Sequence, residues 1–190
     1  MDALALSFGV ILLAELGDKS QLIAVAFAAR YRARVVFAGI VLATLLINAL
    51  SVALGAAFAA ALPTRAILLV GGLIFLGFAA WTIWRDGAAS VEDAAPKRTD
   101  RLALLAVGGA YLVAEFGDKT MLATITLAAT GQPLAVWLGA SAAMITANAI
   151  AIVLAVLIGK RLPQRAMQYF AALAFLVFGA LLIAEGLGLV

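Results

Sequence analysis

Apolar residues run almost without interruption through six stretches of the chain, approximately 3–29, 35–61, 66–84, 102–130, 134–159 and 166–187. Each is about as long as the roughly 20 residues a helix needs to cross the hydrocarbon core of a bilayer. The breaks between them carry turn and charge punctuation: Arg30-Tyr31-Arg32-Ala33-Arg34, Leu62-Pro63-Thr64-Arg65, Gly131-Gln132-Pro133 and Gly159-Lys160-Arg161-Leu162-Pro163. With 66% hydrophobic and 12% charged residues, the chain lies far from the ~45–50% and ~25% of a water-soluble domain. An all-α integral membrane protein of six transmembrane helices is expected.

The sequence holds no Cys and no His. Disulfide scaffolds and zinc fingers are therefore excluded. Any metal it binds must be held by oxygen, with Met sulfur the one soft exception. Enzyme chemistry is also a poor fit, since only acids and lysines within the apolar runs could carry it.

The net charge of +3 does not point to nucleic acid, because the basic residues sit between spans and read as topology signals. Ten of them fall in the odd-numbered connections: Arg30, Arg32 and Arg34; Arg85, Lys97, Arg98 and Arg101; Lys160, Arg161 and Arg165. The even-numbered connections hold only Arg65, and the termini hold none. The positive-inside rule then puts the odd connections in the cytoplasm and both termini outside. Asp2 and the length of the first run argue against a cleavable signal peptide.

A repeat organises the six runs. Glu15-Leu16-Gly17-Asp18-Lys19-Ser20 returns 100 residues later as Glu115-Phe116-Gly117-Asp118-Lys119-Thr120. The same offset links Gly39 to Gly139, Asn48-Ala49 to Asn148-Ala149, Leu62-Pro63 to Leu162-Pro163 and Arg65-Ala66 to Arg165-Ala166. A first repeat over 1–84 and a second over 102–190 flank a polar linker, 85–101, on the cytoplasmic side. Three spans per repeat is an odd number, so the second copy enters the membrane from the opposite side. Two inverted three-helix repeats place equivalent residues at one depth and let them face each other, an architecture used for alternating access.

Glu15 has 12 residues of its run before it and 14 after, and Glu115 has 13 and 15. Both sit near the midplane, with Asp18, Lys19, Asp118 and Lys119 beside them. An ionisable group at such a depth costs about 2.5–3.5 kcal/mol on insertion scales and marks function by default. If the runs stay helical, Glu15 lies roughly 60° from Asp18 and roughly 40° from Lys19, so all three share one face. Gly17 and Gly117 would let the backbone unwind locally and offer carbonyl oxygens. Asn48 and Asn148 are central in the second and fifth runs. Thr44 and Ser51 share the face of Asn48, whereas Met144 and Ala151 stand at the matching positions beside Asn148.

A plainer reading has Glu15–Lys19 and Glu115–Lys119 as i,i+4 ion pairs, with the two asparagines as interhelical glue. Charge counting opposes it for the acids. Four carboxylates against two ammonium groups leave a deficit of two negative charges, which one divalent cation or two protons would cancel. Carboxylates, amide carbonyls and hydroxyls are hard oxygen ligands suited to Ca²⁺, Mn²⁺ or Mg²⁺. The expected ligands are Glu15, Asp18, Glu115, Asp118, Asn48 and Asn148. Lys19, Lys119, Ser20, Thr120, Gln21 and Thr44 are expected to support them, and Met121 could add a thioether or simply pack. Trp81 and Trp84 read as interfacial anchors, and Glu185 as either a gate or an interfacial side chain.

The paired Glu-φ-Gly-Asp-Lys-Ser/Thr motifs, at Glu15–Ser20 and Glu115–Thr120, resemble the signature of the UPF0016/GDT1 family of cation transporters. The resemblance covers essentially the whole chain, and neither motif departs from the pattern. It implies a secondary transporter of Mn²⁺ and Ca²⁺ coupled to protons, with the motif carboxylates as the cation site. Bacterial relatives are linked mainly to manganese export and eukaryotic ones to Golgi supply of both ions, and the absence of a long leader leads us to expect a compact form in a prokaryotic inner membrane. No permanently bound cofactor follows; the partners are the bilayer, the transported cation and the proton as counter-ion. An exporter of amino acids or other small organic solutes, or a membrane assembly subunit without transport activity, are the competing readings.

Overall fold

The computed structural model describes residues 2–16, 18–28, 31–84, 100–158 and 164–189. Among them the chain is entirely helical: α1 (Ala3–Glu15), α2 (Lys19–Ala28), α3 (Ala33–Ala61), α4 (Thr64–Trp84), α5 (Asp100–Glu115), α6 (Lys119–Thr130), α7 (Pro133–Ile158) and α8 (Gln164–Leu187). The linker expected over 85–101 falls outside the described residues except at its end, where Asp100 and Arg101 already belong to α5. Arg32 Nη1 pairs with Asp100 Oδ2 at 2.9 Å. Both side chains are well exposed, so the pair contributes little stability.

The first and fourth runs are not continuous helices. Each breaks inside its charged motif, which corrects the shared-face geometry expected for Glu15, Asp18 and Lys19. The Leu16 and Phe116 N–H groups still donate to Leu12 and Leu112 carbonyls, at 3.1 and 2.9 Å. The Asp18 and Asp118 N–H groups then reach back to the Glu15 and Glu115 carbonyls, both at 3.1 Å, in a tight turn that ends each helix. Gly117 makes the second turn with φ +73, a left-handed conformation that costs a side-chain-bearing residue energy and glycine almost nothing. Gly17 lies outside the described residues. The glutamates thus close α1 and α5, and the lysines open α2 and α6.

Both α1 and α2 pack against α7, and both α5 and α6 pack against α3. Each broken pair therefore shares one long helix of the other half. Exchanging the halves maps α1 on α7 to α5 on α3, α6 on α3 to α2 on α7, and α1 on α6 to α5 on α2. The contacts between α4 and α8 and between α3 and α7 map onto themselves. The match is not complete, since α1 on α8 and α4 on α6 have no counterparts among the packed pairs of the described residues, but it reaches individual residues. A Cβ on Gly39 would stand 3.0 Å from the Leu104 carbonyl oxygen, and one on Gly139 would stand 2.5 Å from that of Leu4. Phe75 and Phe175, also 100 apart, meet with ring centroids at 5.6 Å.

Two helical segments, Ala33–Ala61 and Pro133–Val153, are each long and apolar enough to cross a bilayer alone. The outward faces of the bundle carry exposed Leu42, Leu46, Leu73, Leu105, Val113 and Leu173. Apolar surface spread so widely over helix faces suits lipid and not water. Trp84 is exposed at the end of α4, as is Glu185 on α8; the Trp81 side chain lies outside the described residues.

Candidate metal site

The two helix breaks are brought together at the centre of the bundle. Glu15 and Glu115 are fully buried there, at 0% and 1% exposure. Each is gripped by the hydroxyl that ends its own motif. Ser20 Oγ donates to Glu15 Oε1 across the first break, and Thr120 Oγ1 donates to Glu115 Oε2 at 2.9 Å across the second. One oxygen of each carboxylate is thereby fixed. The other, Glu15 Oε2 and Glu115 Oε1, is buried with no hydrogen-bond partner. Leaving a buried acceptor unsatisfied costs about 1–3 kcal/mol, more when it is charged, so these two atoms are open to a proton or a ligand.

Lys119 does not form the i,i+4 pair with Glu115 considered above. Lys119 Nζ crosses to the other half and meets Asp18 Oδ1 at 3.3 Å. It also stands 5.7 Å from the centroid of the Phe175 ring, a distance suited to a cation–π contact. The turn explains the correction, because a break between Glu115 and Lys119 removes the helical register that would stack them. Asp18 Oδ2 remains buried and without a partner. Asp118 is half-buried. Its charge acts on Glu115 together with those of Glu15 and Asp18. The Lys19 side chain lies outside the described residues. No three acidic side chains among the described residues converge tightly enough to hold a metal ion by carboxylates alone. A cation here needs neutral oxygens as well.

Two buried asparagines, Asn48 and Asn148, carry neutral amide oxygens. Asn48 Nδ2 donates to Ser141 Oγ at 3.2 Å and to Met144 Sδ at 3.4 Å. Asn148 Nδ2 donates to Tyr111 OH at 2.8 Å and to the Met144 carbonyl at 2.9 Å. A thioether sulfur and a peptide carbonyl only accept, so in both residues the amide nitrogen must face Met144. The amide oxygens therefore point elsewhere, and Asn148 Oδ1 is buried without a partner.

Thr44, Ser51, Gln21 and Met121 are buried as well. Thr44 is fully buried on α3, while Ser51 Oγ is spent on the Ile47 carbonyl at 2.7 Å. Gln21 Nε2 reaches the Ala147 carbonyl on α7 at 3.3 Å. Met121 Sδ accepts from the Gly117 N–H at 3.2 Å, so its sulfur helps close the second break. Sequence reasoning missed Tyr111 and Ser141. The repeat hides them, because residues 11 and 41 of the first half are Ile11 and Val41. The available signal was position: Tyr111 lies one helical turn before Glu115.

Chemically, the centre offers hard oxygens of two kinds, with a cationic side chain already paired to one of the acids. That set suits a divalent cation and can exchange it for protons, since both seek the same carboxylate oxygens.

Comparison with known proteins agrees. The family model described as "Divalent cation/proton antiporter GDT1" matches residues 3–90 and 103–189. A Vibrio cholerae protein named "Putative manganese exporter" is 32% identical over 183 residues, covering 93% of this chain and 88% of that protein. The chloroplastic protein PAM71 of Arabidopsis thaliana is 31% identical over 212 residues, covering 95% of this chain but only 56% of its own length. A GDT1-like protein of Synechocystis, sll0615, is 31% identical, with 89% and 90% of the two chains covered. No solved structure matches the chain.

Proposed function

The chain belongs to the GDT1 family of divalent cation/proton antiporters, and we propose that it exchanges Mn²⁺, with Ca²⁺ as a second substrate, for protons at the paired helix breaks. The carrying observation is the duplicated grip on the glutamates. In both halves a motif hydroxyl holds one carboxylate oxygen and leaves the other buried and unpartnered. Glu15, Glu115, Asp18 and Asp118 supply the charge, and the Asn48 and Asn148 carbonyls complete the shell. Lys119 limits the net charge when the site is empty. Manganese is favoured over calcium by the name of the Vibrio relative.

The six spans are two inverted three-helix repeats, over 1–84 and 102–190, in the inner membrane of a prokaryote. The near-exchangeable packing of the halves supports this arrangement. Each half can then take the other's conformation, opening the site to alternate sides. A bound cation displaces the protons; reprotonation weakens the site and releases the cation. Because one set of oxygens serves both, the two fluxes are locked in opposite directions. In proteoliposomes, Mn²⁺ or Ca²⁺ movement is expected to shift lumenal pH in step, and an imposed pH gradient is expected to drive cation flux. Cation flux without proton counter-movement overturns the coupling.

Orientation has its own test. The chain has no native Cys, so single cysteines report without background. Cysteine at the exposed positions Arg32 and Gly131 should be labelled from the cytoplasm and from outside, respectively. Labelling of position 32 by an impermeant external reagent reverses the topology.

A further inference from the structure

The two asparagines are equivalent in the repeat but are not held alike. Asn48, on α3 of the first half, is held by Ser141 and Met144, both on α7 of the second half. Asn148, on α7, is held by the Met144 carbonyl one turn back on its own helix and by the Tyr111 hydroxyl on α5. Both of its partners belong to its own half. When the halves move against each other, the contacts of Asn48 across the α3·α7 boundary must change. Those of Asn148 lie within the second repeat, although α5, which carries Tyr111, itself packs against α3.

Tyr111 is the residue that makes the difference. It is the largest fully buried side chain among the described residues, at 0% exposure. Its hydroxyl lies among Asn148, Thr44 and the charges of Glu115 and Glu15. A phenol oxygen both donates and accepts. By accepting from Asn148 Nδ2 it turns the amide so that Oδ1, buried and unpartnered, faces away from the clamp. Ile11 occupies the matching position in the first half, equally buried, and can form no such bond.

We propose that Tyr111 is a positioning residue that keeps the Asn148 carbonyl aimed at the transported cation. Asn148 is thereby an amide ligand set from within the second repeat, and Asn48 one set across the α3·α7 boundary. This rests on the reading of Asn148 as a cation ligand given above. It predicts unequal roles for two residues that the repeat makes look interchangeable.

The test is a double-mutant cycle on the full-length protein in proteoliposomes, reading Mn²⁺ flux against Mn²⁺ concentration. Tyr111→Phe keeps the ring and removes only the hydroxyl. It should raise KM about tenfold, the scale of one buried hydrogen-bonding group left without its partner, with maximal rate within about twofold. Asn148→Ala should raise KM at least as much, and the double variant no further than Asn148→Ala alone. Thermal melting of each variant in detergent separates a change in fold from a change in affinity. Unchanged KM in Tyr111→Phe overturns the proposal, as do effects of the two changes that simply multiply. An unchanged KM in Asn148→Ala removes Asn148 from the ligand shell and the proposal with it. The carboxylate site stands or falls separately, on the glutamate variants.

Discussion

Glu15→Gln and Glu115→Gln each abolish divalent-cation flux while the protein remains folded and inserted. Glutamine has nearly the shape of glutamate, and its amide oxygen can still accept from Ser20 or Thr120, which hold Glu15 and Glu115 across the breaks. What it loses is the negative charge and the ability to exchange a proton. Removing one member of a buried charge pair costs about 3–5 kcal/mol, so flux at fixed cation concentration should drop by on the order of a hundredfold or more. Because both halves contribute one glutamate, neither variant is rescued by the other copy. The folded fraction should not suffer, since a neutral amide is easier to bury than an unpaired carboxylate. Asp18→Asn should be nearly as severe, because it weakens the pairing with Lys119 as well as the cation shell. Flux assays in proteoliposomes decide it. Wild-type transport by the double Glu→Gln variant excludes these carboxylates as the site.

Much of this arrangement was legible in the chain because a repeat constrains two places at once. The offset of 100 residues matched Gly39 with Gly139, and both prove to be close-approach points between the halves. The acids were legible for an energetic reason, since charge in the middle of an apolar run needs a function to persist. The helix breaks were harder. A glycine inside a run signals freedom to unwind, but only tertiary partners decide whether it is used, and here the motif hydroxyls and the Met121 sulfur hold the breaks closed. Side-chain pairings across the halves were the least accessible. Lys119 meeting Asp18, and Tyr111 meeting Asn148, depend on which helices pack together, and no periodicity within one helix encodes that. Tyr111 was hidden further by the repeat itself, which directs attention to positions that match.

Gly139→Leu prevents the protein from assembling, and Gly139→Ala lowers its melting temperature by about 5–10 °C. At Gly139 the backbones of α7 and α1 touch: an added Cβ would lie 2.5 Å from the Leu4 carbonyl oxygen, 3.1 Å from the Phe8 nitrogen and against Ser7 Oγ. Two of these neighbours are backbone, so neither can swing aside as a side-chain tip would. Relief requires the helices to separate, and small residues at such crossings are what permit close packing where no water-driven force presses helices together. Overpacking of this kind costs about 1–3 kcal/mol for a methyl group, and each kcal/mol moves the transition of a chain this size by about 2–4 °C. Gly9→Ala is the matched control, because a Cβ there meets nothing within 4 Å, and it should melt with the wild type. The effect reaches the site as well. α1 ends at Glu15, so a helix lifted off α7 carries that carboxylate away from Glu115, and whatever Gly139→Ala protein survives should bind its cation more weakly. Equal melting temperatures for the Gly139→Ala and Gly9→Ala proteins would mean that α1 does not rest on α7 at this point, and that the glutamates are brought together by some other contact.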